Sequence, residues 1–221
     1  IGRPVEGFFA TDYAGVIEAM GAGKIQLAWY GGKSYIEAAE RSEAEAFAQT
    51  VASDGSKGYY SHLITNKDNP ILADIDVEAG DGDQYVIENS DSLTFAFNDP
   101  NSTSGFLVPS YYVFASDPDA FENIQIIWTS PVIPSDPLAY RKDLPDCLKD
   151  ELKEFFYNYT DEEVLGGLEW QGFDEAGDSD WNTVRELNIG KEILETENDA
   201  TLDDAAKQQK LDELNAELEA L

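Results

Sequence analysis

Basic side chains are scarce in this chain: 14 Lys and Arg stand against 45 Asp and Glu, a formal net charge of −31. Nucleic acids and anionic membrane surfaces are bound through basic patches, so the imbalance argues against both as partners. Histidine occurs once, at His62, and cysteine once, at Cys147. A single histidine excludes a multi-histidine metal site and would force any Ser-His-Asp arrangement onto His62. Within the predicted strand Tyr59–Thr65 it reads instead as a packing or exposed residue. A single cysteine excludes an intrachain disulfide. Cys147, in Pro145-Asp-Cys-Leu-Lys149, reads as a partly buried small residue in the first turn of a helix. No run of 18 apolar residues occurs, so there is no candidate transmembrane helix. Ile1 opens the chain without Met, a basic segment or an apolar leader core, and the sequence itself is silent on export.

What is present is a folded composition. The 221 residues are 42% hydrophobic and 12% aromatic, enough for one large domain or two small lobes with real cores. The acidic surplus confers solubility through self-repulsion and is tolerated best in concentrated salt, where the Debye length falls to about 3 Å at 1 M. A salt-adapted source and an ordinary acidic exported protein both fit it. An anion approaching such a surface is repelled at long range, so capture must rest on short-range hydrogen bonds.

Strands alternate with helices, which points to an α/β sheet architecture. Val5–Ala10 reads as a strand, 12–20 as a helix with Tyr13, Val16, Ile17 and Met20 on one face, and Ile25–Tyr30 as a strand. Ser34–Glu45 reads as a helix, Ala46–Ala52 as a strand, and Ser53–Gly58 as a turn. The acidic stretch Leu72–Asp91 has no clear period and reads as a solvated loop. Helices are predicted over 144–159 and 181–195, and the tail places Leu211, Leu214, Leu218 and Leu221 at heptad-like spacing. Packing against the body and a homodimer through these C-terminal helices are both open for that stripe.

The densest signal lies between Leu93 and Ala115. Leu93–Phe97 is a β-prone run, Asn98-Asp99-Pro100-Asn101 a turn cluster, and Ser102, Thr103 and Ser104 open the predicted helix Gly105–Ala115, which Pro109 should kink. A helix N-terminus carries unpaired N–H groups and attracts anions. Three hydroxyls there add donors suited to a tetrahedral oxyanion, and Gly105 permits close backbone approach. The alternative is an ordinary N-cap at Ser102 or Ser104.

Asp99-Pro-Asn-Ser-Thr-Ser-Gly-Phe-Leu-Val-Pro-x-Tyr-Tyr112 resembles the signature of the phosphonate/phosphite/phosphate-type solute-binding proteins of ABC transporters. Phe8–Gly15, Ala28–Gly31, Phe47–Ser61 and Ile127–Pro137 resemble the same family, in the family's order. Together they cover residues 5 to about 71 and about 93 to 170. The resemblance implies an α/β, two-lobe periplasmic-binding-protein-like (type II) fold that closes on ligand between its lobes. The lobes would be 1–61 with 137–221 and the C-terminal helices, against 62–136. It implies a non-enzymatic, extracytoplasmic subunit of an ABC importer, partnered by a membrane permease and binding a phosphonate, phosphite or phosphate. On this pattern Ser102, Thr103, Ser104 and Gly105 hold the phosphono group, Tyr13 and Tyr59 line the cleft, and Asp136 is the counter-ion for an ammonium-bearing ligand. No cofactor, metal or catalytic residue is implied. The chain departs from the family in having only Ser116–Asn123 where a longer stretch supplies a His and a Glu to the ligand, so the second lobe reads as shortened.

Other patterns fail on spacing. Counting from Asp74, an EF-hand loop needs Gly where Ala79 stands and Glu where Tyr85 stands, so the acidic cluster reads as a charged loop. Gly32-Lys33-Ser34 ends like a P-loop, but Leu27 occupies the position of its first glycine. Two rivals to the importer subunit stand beside it: a fold-retaining remnant or sensor module without ligand, and an enzyme on a phosphorylated substrate.

Overall fold

The computed structural model describes residues 2–94, 96–109, 111–112 and 126–221. Contacts divide the chain into two compact units. The first comprises Ile1–Tyr59, Asn101–Thr103 and Pro134–Val184; the second comprises Tyr60–Pro100, Ser104–Ile133 and Arg185–Leu221.

The first unit is built on a four-stranded sheet. Its strands are β1 (Leu27–Trp29), β2 (Ala44–Ala52), β7 (Pro137–Arg141) and β8 (Trp170–Glu175), in the order β1-β7-β2-β8. Each of the three ladders is antiparallel. Helix α1 (Tyr13–Gly21) starts at the Asp12 cap, whose carboxylate accepts the Gly15 N–H at 2.8 Å, and buries Ile17 and Met20. Helix α2 (Gly32–Arg41) carries the chain from β1 to β2. It ends where Glu43 takes a positive φ of 54°, so the predicted helix Ser34–Glu45 stops short and β2 begins early. Helix α4 (Asp146–Tyr157) and the short α5 (Glu162–Gly167) precede β8.

The core of this unit is aromatic. Phe47 stacks on Tyr140 at 4.7 Å, with Leu138, Leu152, Phe156 and Phe173 packed around them. Tyr35 meets Trp181 edge-on at 5.1 Å, and both are buried. The β2 register shifts between Ala46 and Ala48, and the Ala46 N–H is taken by the Tyr35 hydroxyl at 3.2 Å. A bulge that would strand a buried donor is thus satisfied by a core side chain.

The second unit has less sheet. β4 (His62–Ile64) pairs antiparallel with β5 (Ile126–Thr129). Helix α3 (Gly82–Glu88) lies against β5, and a Cβ at Gly82 would come within 2.3 Å of the Ile127 carbonyl oxygen. Only glycine permits that approach. Leu63, Val86, Leu107, Val108 and Ile127 are buried in this unit. Helix α6 (Asn182–Asn198) continues into it from the first unit, and α7 (Asp204–Glu219) closes the chain. β3 (Gly58–Tyr59) and β6 (Ile133–Pro134) lie where the chain passes between units.

Several sequence expectations are corrected. Val5–Ala10 is exposed and forms no strand with the described residues; an apolar run without a neighbouring ladder has no β partner to hold it. Leu93–Phe97 is likewise no strand among the described residues, and Phe97 instead packs its ring on Phe106 at 5.1 Å. Leu72–Asp91 is not a plain loop: it holds the end of a 3-10 turn (Pro70–Ala73), then α3, then a second 3-10 turn (Ser90–Ser92). Tyr59–Thr65 is broken at Tyr60–Ser61 into β3 and β4. Cys147 is exposed, not partly buried. In the tail only Leu214 is buried, while Leu218 and Leu221 face solvent.

Candidate functional site

The stretch predicted as a helix behind the hydroxyl triplet is helical in all its described residues, but it starts at Thr103 and opens as a π-helix. The π-helical turn runs from Thr103 to Leu107, and Val108, Pro109, Tyr111 and Tyr112 are helical after it. The rest of the predicted helix, at Ser110 and from Val113 to Ala115, lies outside the described residues. Pro109 has no N–H, so it cannot donate to the Gly105 carbonyl as an α-helix requires. That carbonyl instead accepts the Asn98 N–H at 2.9 Å.

The helix terminus that matters belongs to α2. Its cap, Gly31, has no side chain to offer, and the Thr103 hydroxyl accepts the Lys33 N–H at 2.7 Å. Thr103 therefore caps a helix 70 residues away in sequence. Ser34 closes the turn from within, its hydroxyl accepting from the Gly31 N–H and donating to the Gly31 carbonyl, both at 3.0 Å. The Lys33 ammonium is paired with Glu37 at 3.2 Å, so its charge is already balanced. Thr103 and Ser102 are both buried and counted with the first unit, while Ser104 and Gly105 are counted with the second. The Ser104 carbonyl accepts the Ser61 hydroxyl at 2.6 Å.

Asp136 lies between β6 and β7. Its backbone carbonyl accepts the Thr50 N–H at 3.2 Å, and its carboxylate Oδ2 accepts the Trp29 indole N–H at 3.2 Å. No Lys, Arg or His forms an ion pair with it among the described residues. Burial pushes its carboxyl up to about 6, with the indole N–H pulling weakly the other way. At neutral pH it is a mostly ionised carboxylate with no cation paired to it among the described residues.

Tyr13 occupies the first position of α1 and is about one-third exposed. Tyr59 ends β3 and is half-buried. Within the first unit the structure ties two of the predicted site residues to one stretch. Trp29 holds Asp136, Lys33 holds Thr103, and the three residues between them carry the chain from the end of β1 into α2.

With this geometry in hand, likeness to known proteins is decisive. The family model for the periplasmic phosphonate substrate-binding proteins of ABC transporters matches residues 1–117 and 113–181. The chain belongs to this family. It is 37% identical to the phosphonates-binding periplasmic protein of Escherichia coli (strain K12), an alignment that takes in 100% of the chain and 77% of that protein. A binding-protein component of an ABC phosphonate transporter from Pseudomonas aeruginosa, solved by crystallography, is 35% identical with a TM-score of 0.83, covering 96% of this chain and 84% of that one. PhnD1 from Prochlorococcus marinus (MIT 9301), solved in complex with methylphosphonate, shares the fold at a TM-score of 0.66 and 17% identity, over 81% of this chain and 83% of that one. The α/β periplasmic-binding-protein fold is therefore that of the family, and the chain is an extracytoplasmic substrate-binding component that works with an ABC transporter.

The alignment with the Escherichia coli phosphonates-binding protein spans 269 positions, against the 221 residues of this chain. The two stretches matched by the family model meet at 113–117, beside the interval Ser116–Asn123 that reads as short for the family; that interval lies outside the described residues.

Sequence reasoning missed the two hydrogen bonds that organise the site in the first unit. The signal for one of them was present: Gly31-Gly32 starts a helix without a capping side chain, so an acceptor has to come from elsewhere. Trp29 carried no comparable signal, because its partner lies 107 residues away.

Proposed function

We propose that this binding component captures a phosphonate or a closely related phosphorus oxyanion for delivery to a membrane permease. Ser102, Thr103, Ser104 and the Gly105 backbone supply neutral donors to the phosphono oxygens, Tyr13 and Tyr59 line the site, and Asp136 receives a cationic tail. The observation that carries this reading is the anchoring of Thr103 and Asp136 to the single stretch Trp29–Lys33 after β1. It ties a hydroxyl and a carboxylate that has no ion-pair partner among the described residues to one short segment, which suits a ligand with an oxyanion at one end and an ammonium at the other. Neutral donors hold the anion without a fixed cation, and the −31 charge of the chain leaves recognition to contacts at hydrogen-bonding range.

Calorimetric titration with 2-aminoethylphosphonate, methylphosphonate, phosphite and phosphate, in dilute and in molar salt, tests this. The expected result is one-to-one binding with 2-aminoethylphosphonate preferred. The difference between the 269-position alignment and the 221-residue chain favours a second reading, a family member that has lost its ligand. A folded protein that binds none of the four would establish that reading instead.

A further inference from the structure

We propose that Trp29 is a positioning residue for cationic phosphonates, holding the Asp136 carboxylate in the orientation that receives the ligand's ammonium group. This rests on the reading that Asp136 meets a cationic tail, and adds the residue through which that specificity is set.

The argument is geometric. In the β1–β7 register Trp29 lies opposite Leu138, two residues from Asp136, which brings the indole within reach of the carboxylate. The indole N–H donates to Oδ2 at 3.2 Å, and Oδ1 accepts no hydrogen bond from the described residues. One oxygen is thus fixed and the other left over. Trp29 is itself fixed from behind: its ring meets Trp170 edge-on, 4.8 Å between centroids at 81°. Trp170 in turn packs on Phe173 of the same strand, at 5.7 Å. A rigid aromatic chain therefore runs from β8 to the carboxylate.

The indole is nevertheless 54% exposed, an unusual place for a large aromatic side chain unless its surface has a use. An exposed indole beside an ionised carboxylate is a pairing suited to an organic cation, which can be paired by the one and faced by the other.

Among the described residues no other charged group pairs with this carboxylate. Of the strands around it, β1 carries no titratable side chain, and β2 carries Glu45, which is paired with Lys149 at 2.8 Å. On β7 the Tyr140 hydroxyl donates to Glu45, and Arg141 is paired with Asp143 and lies opposite Ala44, at the far end of the ladder from Pro137. On β8 Asp174 is paired with Lys57, and Glu175 lies opposite Ala48. The groups that act on Asp136 are its burial and the Trp29 N–H.

The test compares the wild type with Trp29→Phe, which keeps a ring against Trp170 and removes the N–H. Two quantities are read from pH 5 to 9: the ratio of affinities for 2-aminoethylphosphonate and methylphosphonate, and the titration midpoint of the Asp136 carboxyl by carbon-detected NMR in the ligand-free protein. The protonation of each phosphonate is measured separately by phosphorus NMR of the free ligands and divided out, because the ammonium group lowers the second phosphonate pKa of 2-aminoethylphosphonate relative to methylphosphonate. In Trp29→Phe the midpoint should rise, the ratio at pH 7 should fall about tenfold, and the acid limb of the ratio should shift upward with the midpoint. On an Asp136→Asn background the same substitution should leave the ratio unchanged, because its effect runs through the carboxylate. If Trp29→Phe does not fold, Trp29→Leu removes the same N–H and is read identically. A folded variant with an unchanged ratio and midpoint overturns the proposal while leaving phosphonate binding intact. Wild-type protein that binds neither ligand overturns the functional reading and the proposal with it.

Discussion

The two units solve the problem of burying a chain in different ways. The first spreads a four-stranded sheet, packs it with stacked aromatics, and carries at Asp136 a carboxylate that has no ion-pair partner among the described residues. The second has strands of three and four residues, and depends on helices lying close against them, as α3 does through Gly82. A broad sheet can carry the cost of residues that are poor for stability, such as a half-buried Asp136. A small one depends on single close contacts, and should fail where one of those is disturbed.

Three substitutions press on that contrast, from the largest effect to the smallest. Gly82→Ala puts a methyl group against backbone, which cannot swing aside as a side-chain tip can. It should cost about 3 kcal/mol, and hydrogen exchange should show protection lost first in 82–88 and 126–129. Equal loss in β2 and β7 would mean that the units do not differ as described.

Asp136→Asn should act in the opposite direction. The Asp136 carboxyl sits at about 6 in the folded protein, against an ordinary 3.8. Between these values the folded state holds a proton that the unfolded state has released, so stability falls as pH rises, and the full cost applies above pH 6. Asparagine keeps an acceptor for Trp29 without the charge. It should stabilise the ligand-free protein by about 2 kcal/mol at pH 7 to 8, with the gain vanishing below pH 4, as read by denaturant unfolding across pH. A gain independent of pH would point to packing and not to the carboxylate.

Tyr30→Phe tests the first unit's core itself. The Tyr30 hydroxyl is buried and has no hydrogen-bond partner among the described residues. An unsatisfied buried hydroxyl is a liability, so its removal should raise stability by about 1 kcal/mol. A loss in thermal unfolding would show that the hydroxyl does have a partner, such as a bound water.

Helices α1, α2 and α4 of the first unit were legible because each has a local cause, whereas the short α5 was not read. The Asp12 cap, the buried pair Ile17 and Met20, and the stripe through Leu148, Leu152 and Phe156 are written within a few residues of one another. β2 was legible as a β-prone run closed by the Asp-Gly turn at Asp54-Gly55. The insertion of β7 between β1 and β2 was not, since it joins residues about 100 apart and nothing local records it. In the second unit, α3 was hidden by its own polarity: only Gly82 and Val86 are buried, too few to set a helical period. Leu93–Phe97 misled for the opposite reason, being apolar enough for a strand but using Phe97 for a ring contact with Phe106. At the site, residue types were readable, because three adjacent hydroxyls and a turn aspartate stand out. Their partners were not, since Thr103 reaches Lys33 and Asp136 reaches Trp29 only through the fold.

The claim at the centre is that the buried hydroxyls beside α2 hold a phosphorus oxyanion. Titration of methylphosphonate into the wild type and into Ser102→Ala tests it most directly, because that ligand has no ammonium group and interrogates the hydroxyls without Asp136. Saturable one-to-one binding that weakens at least tenfold in a folded Ser102→Ala variant is the predicted result. Equal affinity in the two proteins, or none in either, would contradict it.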